Sequence, residues 1–347
     1  MITRAARLAG TVARPVLLAW CLAPAVLHAE VDRATLVGLS ASVLKVEVQR
    51  IQGGYSLGSG VVVDTAKVVT NCHVTRDARD IHVLRGDVRW HVEAQAAQVD
   101  HDLCVLRVPD LKAEVVSFGR AATLTLGQPV TAVGFTGGLG IQNSPGDVVA
   151  LHRHGGGRVI QSSNWFSSGA SGGGLFDDDL RLVGILTFRQ RGGAAHYYTA
   201  PVEWVQQLLA AAQPYRKVAP IAAAELAYWQ QPDERQPNFL QAATLERNRN
   251  WRALASLASG WRDSDAGDAE PWYLLGVSLA QLDRLDDARQ AIEHSLTLEP
   301  ASGSTWLALG LLYLRQGLID RAREVLARLE ALKSDLASDL GKAIAKI

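Results

Sequence analysis

Between residues 35 and 200 the apolar positions fall in short β-branched runs, at 42–51, 60–63, 67–70, 81–84, 103–108, 129–133, 147–151, 158–161, 182–188 and 196–200, set off from one another by Gly, Asp or Pro. Short runs between turn residues predict strands, and about ten to twelve of them in succession predict an all-β sandwich or a pair of barrels. The period changes at Pro201. In residues 202–209 the apolar side chains recur at helical spacing, which predicts a helix closing the β region.

Residues 214–237 contain Pro214, Pro220, Pro232 and Pro237, and proline at that density does not sit inside regular elements. This segment is expected to be a linker with at most one short Ala-rich helix. Beyond it the pattern is helical and repeats. Trp272-x2-Leu275-Gly276 recurs as Trp306-x2-Leu309-Gly310, and Ala288 recurs as Ala322, at an offset of 34 residues. That period and signature, with Pro300 and Tyr313 also in place, resemble the tetratricopeptide repeat. Small residues such as Gly276 and Ala288 let the two helices of a hairpin approach, while large apolar ones fill the space beside them. Clear units are expected at about 269–302 and 303–334. A degenerate unit is expected at about 238–262, where Leu240, Trp251, Ala253 and Leu257 keep helical spacing without the Trp-x2-Leu-Gly start. Residues 335–347 read as the solvent-facing cap of a stack that needs about three units for stability.

The amino-terminal segment changes the picture of where the chain works. It carries Arg4, Arg7 and Arg14, has no acid before Glu30, and holds an apolar run at 15–27. A run of about 13 residues is too short to span a bilayer and suits the core of a cleavable signal peptide. The expected organisation is therefore a signal peptide at 1–29, a β domain at 30–213, the Pro-rich linker at 214–237 and a helical repeat domain at 238–347. Small residues at Ala23, Ala25 and Ala29 put the mature start near residue 26 or 30, with an uncleaved membrane anchor as the competing reading. Trp20 before Cys21 is too bulky for a lipoprotein cleavage site, so no lipid anchor is expected. Export implies a periplasmic or secreted protein and leaves Cys72 and Cys104 where disulfides persist. Lys and Arg number 35 against 35 Asp and Glu, which leaves no electrostatic footprint for a nucleic acid. A membrane span in the mature chain is excluded by the lack of any long apolar stretch.

Three motifs stand out in the β region, in the order His, Asp, Ser. Val69-Thr70-Asn71-Cys72-His73-Val74 follows Gly58-Ser59-Gly60-Val61-Val62-Val63; then come His101-Asp102-Leu103-Cys104-Val105-Leu106 and Gly169-Ala170-Ser171-Gly172-Gly173-Gly174-Leu175. With them the chain resembles the trypsin/chymotrypsin-like serine proteases, and among these the bacterial Deg/HtrA type, over residues 40–210. The resemblance includes Leu182-Val183-Gly184-Ile185 and Tyr198-Thr199-Ala200-Pro201. It implies an all-β double barrel of two six-stranded barrels with a cleft between them, followed here by the all-α repeat domain.

The resemblance also assigns roles that chemistry makes intelligible. A serine hydroxyl is a poor nucleophile until a base takes its proton, so Ser171 is paired with His73, and Asp102 orients the ring and stabilises its positive charge. The backbone N–H groups of Gly169 and Ser171 form the expected oxyanion hole. Asp100 is the decoy near Asp102 and is read as a solvated turn residue. Since His73 and Asp102 must touch, their neighbours Cys72 and Cys104 are a candidate disulfide, with two small buried thiols as the alternative. The substrate pocket is expected from Trp165, Phe166, Ser168, Thr187 and Arg189, with Gly193 and Ala194 at its rim; Trp165 and Phe166 are equally readable as core. No acid stands in that set, so cleavage after Lys or Arg is not expected. The Thr187 hydroxyl is a further candidate for supporting Asp102.

Departures from the family pattern limit the transfer. Ala170 replaces the usual Asp or Asn before the serine, so activation by a new amino terminus is unavailable, and loop order at 137–140 and 155–157 is expected to control activity instead. Helical repeats stand where the relatives carry PDZ domains. His152 and His154 have no Cys or acid at ligand spacing, so no metal and no cofactor is expected. The resulting reading is an exported serine endopeptidase acting on protein or peptide substrates, with repeats that bind a substrate, partner or regulator. The alternative is a catalytically silent protease fold used as a binding or chaperone module.

Overall fold

The computed structural model describes residues 33–137, 140–190, 196–211 and 214–347; the expected signal peptide and the expected pocket rim at Gly193 and Ala194 lie outside the described residues. Helix α1 (Arg33–Ser42) leads into β1 (Val43–Arg50), β2 (Tyr55–Asp64), β3 (Lys67–Asn71), the one-turn helix α2 (Cys72–Thr75), β4 (Ala78–Arg85), β5 (Val88–His91), β6 (Ala94–Gln98) and β7 (Leu103–Arg107). The second β unit comprises β8 (Pro129–Phe135), β9 (Ile141–His154), β10 (Gly157–Ser162), β11 (Gly174–Phe176), β12 (Leu182–Gln190) and β13 (His196–Pro201), and α3 (Val202–Ala210) follows it. These six strands form a closed antiparallel barrel in the order β10-β13-β12-β11-β8-β9.

The first unit departs from a second closed barrel. Its sheet has eight strands in the order β14-β6-β7-β3-β2-β1-β4-β5, where β14 (Arg216–Lys217) comes from the Pro-rich segment. Arg216 and Lys217 pair with Gln95 and Ala94, so the outer edge of β6 is taken and the sheet stays open at β5.

Continuous apolar runs in the central strands have a simple cause. On β2, Val62 faces the core inside the first sheet with Leu44, Val68 and Leu106, whereas Val61 and Val63 face the second unit with Val43, Val69 and Val105. Both faces are covered, so neither alternate set needs to be polar. The second barrel fills its interior with Val130, Ile160, Leu175, Val183 and Leu186.

The Pro-rich segment is an ordered arm, and it contains no Ala-rich helix. After β14 it runs along the first sheet: Gln95 Nε2 donates to the Ala219 carbonyl (3.0 Å), Ile221 N–H to that of Arg76 (2.8 Å) and Tyr228 N–H to that of Asp100 (2.9 Å). Two single 3₁₀ turns, Tyr228–Gln230 and Asp233–Arg235, are all the helix it forms. Pro232 and Pro237, with φ of −52° and −54°, stand just before the second turn and before the next helix, where a missing N–H costs nothing.

Seven helices follow: α4 (Asn238–Arg247), α5 (Trp251–Ser264), α6 (Ala269–Gln281), α7 (Leu285–Leu298), α8 (Gly303–Arg315), α9 (Ile319–Ala331) and α10 (Leu336–Ile344). A Cβ on Gly276 would lie 2.4 Å from Ile292 Cγ1, which is why α6 and α7 pack with glycine at that point. Leu340 of α10 is fully buried and closes the stack under Gly310. The helices are not a free appendage. Phe239, Leu240, Leu254 and Trp261 share one apolar core with Tyr198, Trp204 and Tyr228, so the seam with the second barrel is itself hydrophobic interior.

Candidate active site

His73 lies on α2, at the end of β3, and Asp102 lies just before β7, which pairs with β3 through Asn71 and Leu103. That register brings the two motifs together. His73 Nδ1 is 2.6 Å from Asp102 Oδ2, and the His73 backbone N–H donates to Asp102 Oδ1 at 2.8 Å. Asp102 is 1% exposed, and a carboxylate so buried must be hydrogen-bonded to be tolerated. Its third donor is Trp229 Nε1, 3.1 Å from Oδ2, reaching in from the arm. An acceptor-only carboxylate facing Nδ1 makes that nitrogen the protonated one and leaves the lone pair on Nε2.

The backbone around the pair is held just as closely. Asp102 sits in the left-handed region with φ of 57°, a conformation Asp tolerates better than most residues. Its N–H donates to the Val99 carbonyl (2.9 Å), and its own carbonyl accepts from Cys72 N–H (3.1 Å) and Asn71 Nδ2 (3.0 Å). Cys72 and Cys104 form a disulfide with Cα atoms 5.0 Å apart, joining α2 to β7 beside both residues. The Asp100 side chain is 70% exposed and takes no part.

Ser171 stands on the turn before β11. Its hydroxyl donates to the Thr187 carbonyl at 3.2 Å, and among the described residues no hydrogen bond joins it to His73. The turn nevertheless meets α2 over Gly58, where a Cβ would lie 2.6 Å from Val74 Cγ1 and 3.2 Å from the Ser171 carbonyl oxygen. Gly172 needs both its freedom of backbone and its lack of a side chain: φ is 86°, and a Cβ would fall 2.1 Å from the Ser59 carbonyl oxygen.

Ser59 is the residue that sequence reasoning missed here. Its hydroxyl donates to the Gly169 carbonyl (2.7 Å) and accepts from Phe135 N–H (2.8 Å), and its N–H donates to the Ser171 carbonyl (2.8 Å). The Ser168 carbonyl accepts from Gly137 N–H at 2.7 Å, with Gly169 at φ of 97°. The Ala170 carbonyl accepts from Gly173 N–H at 2.8 Å, and the N–H groups of Gly169 and Ser171 have no partner among the described residues. The Gly58-Ser59-Gly60 motif was a visible signal, because a serine between glycines on a buried strand needs a polar partner.

The residues expected to form the substrate pocket divide. Trp165, Ser168 and Arg189 are exposed, whereas Phe166 is buried against Tyr197 at 4.8 Å between ring centroids, and Thr187 is 1% exposed. The hollow beside Phe166, bounded also by Ala132, Asn143 and Leu186, measures about 30 Å³, room for a water and not for a side chain. Phe166 thus packs in the core of the second barrel with Tyr197, Val130 and Leu186. Nor does the Thr187 hydroxyl reach Asp102. It donates to the Ile185 carbonyl at 2.8 Å and accepts from Ala200 N–H at 3.2 Å, and Trp229 stands at the carboxylate instead. Residues 155–157, expected as a loop that orders on binding, form a tight turn whose Gly155 carbonyl accepts from Trp204 Nε1 at 3.0 Å. Of the two histidines on β9, His154 packs on Tyr228 and His152 is paired with Glu270.

Residues 58–185 match the trypsin-like peptidase domain, and residues 269–302 match the tetratricopeptide repeat. "Protease Do-like 1, chloroplastic" of Arabidopsis thaliana is 35% identical over 142 residues, which are 38% of this chain and 32% of its own. "Probable periplasmic serine endoprotease DegP-like" of Halomonas elongata is 32% identical over 146 residues, 40% of this chain and 31% of its own. The chain thus spans about a third of the length of these curated relatives. Among solved structures, the active form of the Rv3671c protease from M. tuberculosis aligns with a TM-score of 0.48 at 21% identity, covering 55% of this chain and 87% of that one.

Proposed function

We propose, from a trypsin-like peptidase domain of the Deg/HtrA kind joined to tetratricopeptide repeats, that this chain is an exported serine endopeptidase using His73, Asp102 and Ser171. The observation that carries the reading is the conjunction of a buried, three-donor Asp102 behind His73 with N–H groups of Gly169 and Ser171 that have no partner among the described residues. Donors placed before the reaction need no reorganisation when charge develops, and each is worth about 10²–10³ in turnover.

In the reaction, Ser171 Oγ turns from the Thr187 carbonyl to His73 Nε2 and attacks the scissile carbonyl carbon as its proton passes to the imidazole. The Gly169 and Ser171 N–H groups receive the oxyanion, and Asp102 offsets the imidazolium charge. His73 then protonates the leaving amine, and water releases the acyl group by the same steps in reverse order. No acid lies among Trp165, Ser168 and Arg189, the exposed residues of the expected pocket, so basic side chains before the scissile bond are not favoured. The helical repeats hold a protein substrate, a partner or a regulator. A periplasmic or secreted location fits the basic and apolar start of the chain and the periplasmic name of the DegP-like relative.

A second reading, a silent protease fold serving as a binding or chaperone module, draws on the Ser171 hydroxyl being engaged by Thr187. Labelling of the purified protein with a fluorophosphonate probe separates the two, with Ser171→Ala and casein hydrolysis run in parallel. Labelling and hydrolysis that vanish in the variant establish the peptidase; a folded protein that does neither supports the silent module.

A further inference from the structure

Asp102 Oδ2 accepts two hydrogen bonds, one from His73 and one from the indole of Trp229, a residue that lies outside the closed barrel and the strands of the first sheet. Trp229 lies in the arm between the β units and the helices, and its ring is held by two aromatic neighbours. It stacks on Phe188 with centroids 4.8 Å apart and an interplanar angle of 9°, and it meets the His73 ring edge to face at 5.5 Å and 88°. A donor to Oδ2 fixes the rotation of the carboxylate, and an aromatic wall at the imidazole limits its swing.

The arm that carries Trp229 is clamped to the same turn that carries His73. Arg76, the residue capping α2, donates through Nη2 to the Glu225 carbonyl (2.6 Å) and to Gln230 Oε1 (3.4 Å), and through Nη1 to the Ala222 carbonyl (3.4 Å). On the other side, Tyr228 N–H donates to the Asp100 carbonyl, two residues from Asp102. Gln230 Oε1 also accepts from Ala227 N–H, and Gln236 Nε2 donates to the Trp229 carbonyl, so the turn bearing the indole is held from within. The arm thus touches the site at three points, at α2, at the Asp100–Asp102 turn and at the carboxylate itself.

We propose that Trp229 is a positioning residue for the His73–Asp102 pair, supplied by the arm in place of a hydroxyl from the second barrel. This rests on the peptidase reading above for its catalytic consequence, though its geometric content stands apart. Trp229 touches no substrate atom; it acts by holding Asp102 so that His73 keeps its proton on Nδ1 and its lone pair toward Ser171.

The test is Trp229→Phe in the full chain, which retains a ring against Phe188 and His73 and deletes the donor. In kinetics on a small peptide, kcat falls about ten- to a hundredfold, as expected for loss of one charge-assisted hydrogen bond, while KM stays unchanged. In proton NMR, the downfield resonance of His73 Nδ1–H, assigned by its absence in Asp102→Asn, shifts or broadens in the variant. Benzothienylalanine at position 229, which replaces the indole N–H with sulfur and keeps its outline, gives the same result if Phe disturbs the packing. A kcat within about twofold of wild type, with the resonance unmoved, overturns the proposal and leaves Trp229 as packing alone. A wild-type protein no more active than Ser171→Ala instead sinks the peptidase reading, and the resonance then decides the positioning role by itself.

Discussion

Replacing Glu270 with Gln probes the seam between the second barrel and the helices. His152 on β9 is buried and stacked on Phe239 of α4, with centroids 4.4 Å apart at 11°. Its Nδ1 is 2.9 Å from both carboxylate oxygens of Glu270 on α6, and its Nε2 is 2.9 Å from Gln161 Oε1. Burial alone pushes this imidazole down, but the charge and hydrogen bond of Glu270, aided by Gln161 and Asp268, hold it above its ordinary value. A histidine raised in the folded state contributes its full stabilisation below its unfolded value of about 6.5 and loses it as pH rises through the folded value. Between those two values stability falls by up to about 1.4 kcal/mol per pH unit. Other perturbed groups leave the alkaline side clear. His82, His101 and His154 are pushed down by burial, so their contributions grow with pH and level off by their unfolded value. Asp268, pushed up to about 6 by burial, still titrates at the acid end of this range and lowers stability in the same direction, so the comparison is read above about pH 7. Gln at position 270 keeps the shape and removes the charge, costing about 1.5–3 kcal/mol near pH 6, where buried His152 faces a partly exposed carboxylate. The cost shrinks as pH rises through the folded value, where wild-type His152 sheds its proton. Equilibrium urea unfolding of both proteins from about pH 6 to about pH 9 reads this as converging curves. Parallel curves, or a wild-type stability that rises above pH 7, refute the reasoning.

Three further outcomes follow from close contacts. Gly172→Ala drives a Cβ to 2.1 Å from the Ser59 carbonyl oxygen and 2.4 Å from Thr70 Oγ1 at a φ of 86°. It is expected to cost more than about 4 kcal/mol, and a soluble variant melting with wild type would contradict this. Ser59→Ala orphans the Gly169 carbonyl and the Phe135 N–H, with an expected loss of about 1–3 kcal/mol and a fall in peptidase kcat at constant KM; an unchanged kcat counts against the turn-holding role. Reducing the Cys72–Cys104 bond, which closes a sequence separation of 32, lowers stability by about 3–4 kcal/mol through loop entropy. The urea midpoint drops in dithiothreitol for wild type and does not move for the Cys72→Ala, Cys104→Ala double variant; insensitivity of wild type removes the claim.

Local patterns carried much of the fold. Strands such as Val61-Val62-Val63 were readable because β-branched residues between turn signals recur wherever two cores sandwich a strand, and the helices because Trp272-x2-Leu275-Gly276 repeats as one hairpin packs on the next. The His73 and Asp102 motifs were legible for a related reason, since each ends or begins a strand whose apolar run marks its position. What escaped was whatever depends on distant register. Trp229 stands 127 residues from Asp102 in a stretch whose prolines announce irregular chain and nothing about its destination. Those same prolines hid β14, a two-residue strand too short to leave a pattern, and with it the open first sheet. Phe166 was ambiguous because an aromatic residue near a cleft reads alike whether it lines the opening or fills the interior.

The arm also sets the order in which the site is completed as the chain is made. Its contacts span 127 residues at Asp102 and 149 between Arg76 and Glu225, and contacts of such separation form after local strand pairing. Until the arm docks, His73, Asp102 and Ser171 are all present in the chain but Asp102 Oδ2 lacks its second donor. Completion of the carboxylate's hydrogen bonds is thus tied to docking of the arm, which continues into the helical module seated on the second barrel through Phe239 and Leu240.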